Sequence, residues 1–126
     1  MIKISVCDDD EGQLTFFKQC FMEYNEKHKE KIEANFYQSV QSLLNEKKFS
    51  PDVYFLDIEL QDGNGLKLAG KIRTRNSKIP IVFITSHEEF MPEAFQVHAY
   101  QYLNEKKNAQ AVENVLNQLA DYFSEQ

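Results

Sequence analysis

The chain has 126 residues, the size of one domain with one packed core. Its 42% hydrophobic and 27% charged content is ordinary for a soluble globular protein, and a formal net charge of -6 without a basic cluster argues against direct nucleic-acid binding, which needs grouped Lys and Arg to neutralise phosphates. No apolar run approaches the roughly 20 residues that span a bilayer, and Met1-Ile2-Lys3-Ile4 runs straight into charge where a secretory leader has a long apolar core, so the expected setting is cytoplasmic with no membrane partner.

Ile2, Ile4 and Val6 alternate in a short first strand that ends in Cys7 and three aspartates, Asp8-Asp9-Asp10. Leu14, Phe17, Phe21, Tyr24 and His28 then recur at steps of three and four, one face of a long helix capped by Asp10 or an earlier Asp, with the Phe stripe in the core and His28 on the surface. The mixed-sign run 26–31 is a solvated helix end. A second strand covers 32–37, with Ile32, Ala34 and Phe36 on one side. Ser39 caps a short helix carrying Val40, Leu43 and Leu44, and Ser50-Pro51-Asp52 breaks it. The third strand, 53–58, contains Asp57 at the end of an apolar run. Asp62-Gly63-Asn64-Gly65 is a turn, since Gly and Asn tolerate positive φ.

Leu66, Ala69 and Ile72 mark a third helix that ends near Asn76-Ser77, and Pro80 opens a fourth strand, 81–84, followed by Thr85-Ser86. The segment 88–97 reads as a fourth helix, in which Pro92 is tolerated only if it lies in the first turn. A fifth strand covers 99–103. Val112, Val115, Leu116, Leu119 and Phe123 form the stripe of a last helix. Cys7 and Cys20 have no metal or redox spacing and are expected to be buried thiols in a reducing compartment.

Alternating βα units, with near-continuous apolar third and fourth strands, predict an α/β fold: a doubly wound parallel sheet of five strands covered by helices on both faces. In such sheets the site lies outside the carboxyl ends of the central strands. Asp8, Asp9, Asp57 and Thr85 all fall at that end. Carboxylates this close cannot all stay ionised without compensation. A hard divalent cation held by oxygen, Mg²⁺ above all, is the simplest compensation, and a carboxylate beside it can attack a phosphoryl group.

With Val6-Cys7-Asp8-Asp9, Phe55-Leu56-Asp57-Ile58-Glu59-Leu60, Gly63-Asn64-Gly65-Leu66 and Ile81-Val82-Phe83-Ile84-Thr85 in this order, the chain resembles the receiver domains of two-component response regulators over essentially its whole length. Residues 95–103 are most similar to receivers that precede LytTR-type DNA-binding domains. The resemblance implies a flavodoxin-like strand order of 2-1-3-4-5 in three α/β/α layers, with the whole of 1–126 as the receiver and any output domain outside the chain.

The resemblance also implies roles. Asp57 would accept phosphoryl from a sensor histidine kinase, with Mg²⁺ or Mn²⁺ held by Asp8, Asp9, Asp57 and the backbone carbonyl of Glu59. Thr85 would contact the phosphoryl group and Tyr102 would follow its movement. The side chains of Glu59 and His87 would tune the lifetime of the phosphorylated state. The face made by the fourth helix, fifth strand and fifth helix would respond by dimerising or meeting an output. DNA would be reached only through a separate output domain. Such a chain is not an enzyme beyond its own phosphorylation and dephosphorylation.

One position departs from the family pattern. The residue twenty places after Thr85, where LytTR-linked receivers carry Lys, is Glu105, followed by Lys106 instead of Pro. Either Lys106 reaches in on its flexible stem, or the chain is an interaction module that keeps the fold without phosphotransfer. Gln61 also stands near a position where family members often carry Pro. An Asp-nucleophile phosphatase is disfavoured because Glu59 occupies the place of its second Asp. A flavin site is disfavoured because acids, not a phosphate-cradling loop, follow the first strand.

Overall fold

A computed structural model describes residues 1–86, 96–104 and 108–125. Among these residues the strands of the main sheet are β1 (Ile2–Cys7), β2 (Ile32–Tyr37), β3 (Val53–Asp57), β4 (Ile81–Ile84) and β5 (Gln101–Leu103). The helices among the described residues are α1 (Glu11–Lys27), α2 (Val40–Leu44), α3 (Gly65–Arg75) and α4 (Ala109–Ser124). All five strands pair in parallel in the order β2-β1-β3-β4-β5. This is the predicted doubly wound, flavodoxin-like sheet.

The side-chain alternation of each strand splits the core in two. Val6, Phe55, Val82 and Ile84 point to one face, where Phe17 and Phe21 of α1 and Leu116 and Leu119 of α4 cover them. Cys7, Leu56 and Phe83 point to the other, against Leu43 of α2 and Leu68 and Ile72 of α3. Every residue of β4 is fully buried, which is why its sequence shows no polar alternation. No helix among the described residues is long and apolar enough to cross a membrane.

Each helix starts where its sequence supplies a side-chain oxygen. Asp10 accepts from Gly12 N at 2.7 Å and from Gln13 N at 3.3 Å. Ser39 and Ser42 make a reciprocal capping box on α2. Asn64 and Asn108 cap α3 and α4 through Leu66 N and Ala111 N. Each such cap is worth about 1 kcal/mol.

Three expectations need correction, and a fourth falls largely outside the described residues. The segment 62–65 is not a positive-φ turn: Glu59–Leu60 and Gly63–Asn64 pair antiparallel as a small hairpin, and no glycine among the described residues has positive φ. Its bend falls at Gln61-Asp62, one step earlier than Gly and Asn propensities suggest. The fifth strand begins at Gln101, not at 99, because the left-handed His98 (φ 57°) turns the chain just before it. His28 is the C-cap of α1 and half-buried, its ring stacked on Tyr24 at 3.9 Å between centroids. Of the fourth predicted helix only Gln96 is described as helical, with Val97-His98 in a turn; the rest lies outside the described residues.

Arg73 was not legible as a structural residue. From the last turn of α3 its guanidinium donates to the carbonyls of Val97 and His98, each at 2.9 Å, and of Ile79. The planar fork of donors suits three diverging carbonyls. It ties α3 to the segment that leads into β5.

Candidate functional site

β1 and β3 are neighbours, so their carboxyl ends are adjacent, and the acids that follow each are delivered to one place. Asp8 N continues the β1–β2 ladder by donating to Tyr37 O at 3.0 Å. That leaves the Asp8 side chain inside, 1% exposed, with Oδ1 accepting from Asp10 N at 2.9 Å. The chain then turns outward: Asp9 is half-buried and Asp10 is the exposed helix cap. Asp57, the last residue of β3, is 4% exposed and accepts from Glu59 N at 3.2 Å. Asp9 Oδ2 accepts from Gln61 N at 3.0 Å.

Donor oxygens of Asp8, Asp9 and Asp57 all lie within 4.8 Å of one another. Two carboxylate charges at such a separation repel by on the order of 3 kcal/mol at an effective dielectric constant of about 20. The set is all hard oxygen, with no thiolate or imidazole among the three, and two of its members are buried. That chemistry fits Mg²⁺ or Mn²⁺ and does not select a soft metal.

Thr85 follows β4 directly and is 7% exposed; its N–H donates to Leu103 O at 2.9 Å. Asp57 pairs with Ile84, so Thr85 stands at the end of the strand next to the acid cluster. Tyr102 is half-buried in β5, in register with Phe83, and packs on the α2–α3 side of the core. The Glu59 side chain is exposed. His87, Glu105 and Lys106 lie outside the described residues.

Gly65 matters more to the site than its sequence suggests. Its N–H donates to Ile58 O at 2.8 Å, and a Cβ on it would sit 2.1 Å from the backbone oxygen of Asp57. The available signal was a glycine opening a helix, a poor helix former placed where backbone must approach backbone.

The field of the cluster reaches Cys7, whose thiol donates to Ser39 O at 3.4 Å. Burial first, then Asp62, Asp8, Asp57 and Asp9, push this thiol up to about 12. Burial and Glu23 push Cys20 up to about 11. Above the ordinary value of 9.0 the unfolded thiol loses its proton while the folded one keeps it, so the native state binds more protons and stability falls as pH rises from 9 towards 12. The expected result is no labelling of either cysteine by a thiol reagent at pH 8 in the folded protein and two labels in urea. The decline of the urea midpoint above pH 9 should be shallower in Cys7→Ala. Native labelling of Cys7 at pH 8 would contradict this assignment.

A sequence model of the response regulator receiver domain matches residues 4–117. An uncharacterized response regulatory protein of Yersinia pestis is 29% identical over 120 residues, 95% of this chain and 49% of that protein. The sensory transduction protein LytR of Staphylococcus saprophyticus is 38% identical over 81 residues, 59% of this chain and 32% of that protein. The chain thus spans about half the length, or less, of these curated relatives. Among solved structures, the response regulatory domain of mrkE from Klebsiella pneumoniae superposes with a TM-score of 0.83 at 23% identity, covering 99% of this chain and all of that one.

Proposed function

The chain belongs to the response-regulator receiver family, and from that premise we propose that it is a phosphorylation-controlled signalling switch whose acceptor is Asp57. The observation that carries the reading is the meeting of Asp8, Asp9 and Asp57 within 4.8 Å at the carboxyl end of the sheet. An oxygen of the Asp57 carboxylate attacks the phosphorus of a phosphohistidine on a sensor kinase. A P–O bond forms and the P–N bond breaks, its electron pair returning to the leaving nitrogen, so that an imidazole already protonated on its other nitrogen departs neutral. Asp8, Asp9, Asp57 and the backbone carbonyl of Glu59 would hold Mg²⁺ or Mn²⁺, which when bound offsets negative charge on the carboxylates and the incoming phosphoryl oxygens. The hydroxyl of Thr85 donates to a phosphoryl oxygen of the product, and Lys106 takes the place of the Lys that Glu105 displaces.

Phosphorylation then shifts a pre-existing equilibrium at the face made by the segment before β5, β5 itself and α4. Through that face the chain pairs with a second copy or an output, and any contact with DNA belongs to a separate domain. The protein acts in the cytoplasm as an acceptor, not as an enzyme on other substrates.

Intact mass after incubation with a small-molecule phosphodonor tests this. One phosphoryl group should add in the presence of Mg²⁺, none with a chelator, and none in Asp57→Asn. A folded wild-type chain that gains no mass would favour an interaction module without phosphotransfer, the alternative that Glu105 raises. Restoration of the adduct by Glu105→Lys would then show which residue removed it.

A further inference from the structure

The hairpin 59–64 links the acid cluster to a helix that carries none of its acids. On one side, Gln61 N donates to Asp9 Oδ2 at 3.0 Å. On the other, the exposed Asp62 carboxylate accepts from Val40 N at 2.9 Å and Gln41 N at 3.1 Å, the first two residues of α2. These two bonds hold the Asp62 carboxyl below its ordinary range. The contact is also steric: a Cβ on Gly63 would lie 3.0 Å from Val40 Cγ2. The base of the hairpin is fixed by the pairing of Glu59 with Asn64 and Leu60 with Gly63, by buried Leu60, and by Asn64 capping α3.

Asp9 differs from its two partners in the cluster. Asp8 and Asp57 are buried, and each accepts from a backbone N–H two residues on in its own loop. Asp9 is half-buried, and its carboxylate accepts from a loop 52 residues away. Its carboxylate is therefore oriented by wherever the hairpin tip sits. Gln61 can supply this donor only because it is not proline, which has no N–H.

We propose that Asp62 is a positioning residue for the cation site: by fastening the hairpin tip to α2 it holds the main-chain N–H of Gln61 against Asp9 and so fixes the orientation of that ligand. The inference rests on the reading of Asp8, Asp9 and Asp57 as a cation-assisted acceptor cluster. Asp62 itself touches neither the cation nor the phosphoryl group. Hydrogen bonds that orient ligating carboxylates raise metal affinity, and their loss costs on the order of tenfold or more.

The test is Mn²⁺ binding to the unphosphorylated protein, read from the free-ion signal in electron paramagnetic resonance, together with amide hydrogen exchange without metal. Asp62→Ala should bind Mn²⁺ on the order of tenfold more weakly, with the urea midpoint lowered modestly by loss of the two bonds to α2, and Gln61 N–H should lose protection. Asp62→Asn, which keeps one acceptor oxygen, should recover much of the affinity. Gln61→Ala, which keeps the backbone donor, should match wild type. Wild-type affinity in Asp62→Ala, or unchanged protection of Gln61, would overturn the assignment while leaving the acceptor cluster intact. Wild type binding no more Mn²⁺ than Asp9→Ala would remove the cluster reading, and the role of Asp62 with it.

Discussion

Gly65→Ala should destabilise the protein by about 3 kcal/mol or more, at the upper end of overpacking costs, while Gly70→Ala, five residues along the same helix, should stabilise it by about 1 kcal/mol. The two glycines sit in one helix and neither has positive φ, so propensity favours alanine at both. What separates them is space. A Cβ on Gly70 meets nothing within 4 Å. A Cβ on Gly65 meets Asp57 O at 2.1 Å, Asp57 C at 2.9 Å and Ile58 Cα at 3.0 Å. These are backbone atoms of a strand end held on its other side by Ile58 N to Ile84 O at 3.2 Å, so the conflict cannot be relieved by rotating a side chain.

Relief requires the α3 start to lift away or the Asp57 peptide to tilt. The first breaks the 2.8 Å bond from Gly65 N to Ile58 O. The second displaces the acceptor. Gly65→Ala should therefore also lower the phosphodonor adduct per folded molecule, which a stability effect alone would not do. Urea unfolding of both variants, with intact mass under conditions where each is fully folded, checks the pair. Equal and small effects at the two positions would mean that α3 does not press on the acceptor loop.

The contrast between these glycines shows what could be read from the chain and what could not. Strand positions, helix faces and the acid cluster follow from patterns that repeat locally: alternating apolar residues, steps of three and four, and acids placed where apolar runs stop; the order of the strands comes from the family resemblance. Asp8, Asp9 and Asp57 needed only the rule that parallel strands end together. The hairpin 59–64 escaped because its two-residue strands contain too few residues to show a period, and because Gly and Asn signal turns whether they bend the chain or pair beside a bend. The roles of Gly65, Asp62 and Arg73 depend on atoms far away in sequence: the Asp57 carbonyl, two amides of α2, and the carbonyls of Val97 and His98. No periodicity encodes such contacts. Arg73 in particular looks like any basic residue in a last helical turn, where the helix dipole alone would account for it.

Phe55→Ala should cost about 3–5 kcal/mol, the range for truncating a buried aromatic, against a total stability of about 5–15 kcal/mol for a domain of this size. Phe55 has no exposed surface and lies two residues before Asp57 on β3. Its ring meets Phe17 edge-on at 5.8 Å and 89°, and Phe21 at 5.7 Å and 88°, so one substitution removes both edge-to-face contacts between sheet and α1. Each contact is worth about 0.5–1.5 kcal/mol beyond burial, which places the loss in the upper half of that range. The cavity is bounded by other rings and by β-branched residues of neighbouring strands, a packed wall that relaxes little. Phe123→Ala, at the half-buried rim of α4, should cost only about 1 kcal/mol. Urea denaturation of the three proteins measures both values. Asp57 is placed by the ladder with β4, through Leu56 to Phe83 and Asp57 to Ile84, and not by the Phe55 ring. Phe55→Ala molecules that remain folded in the cold should therefore still accept phosphoryl. Loss of the adduct in the folded fraction would show that α1 packing, and not strand pairing, sets the position of the acceptor.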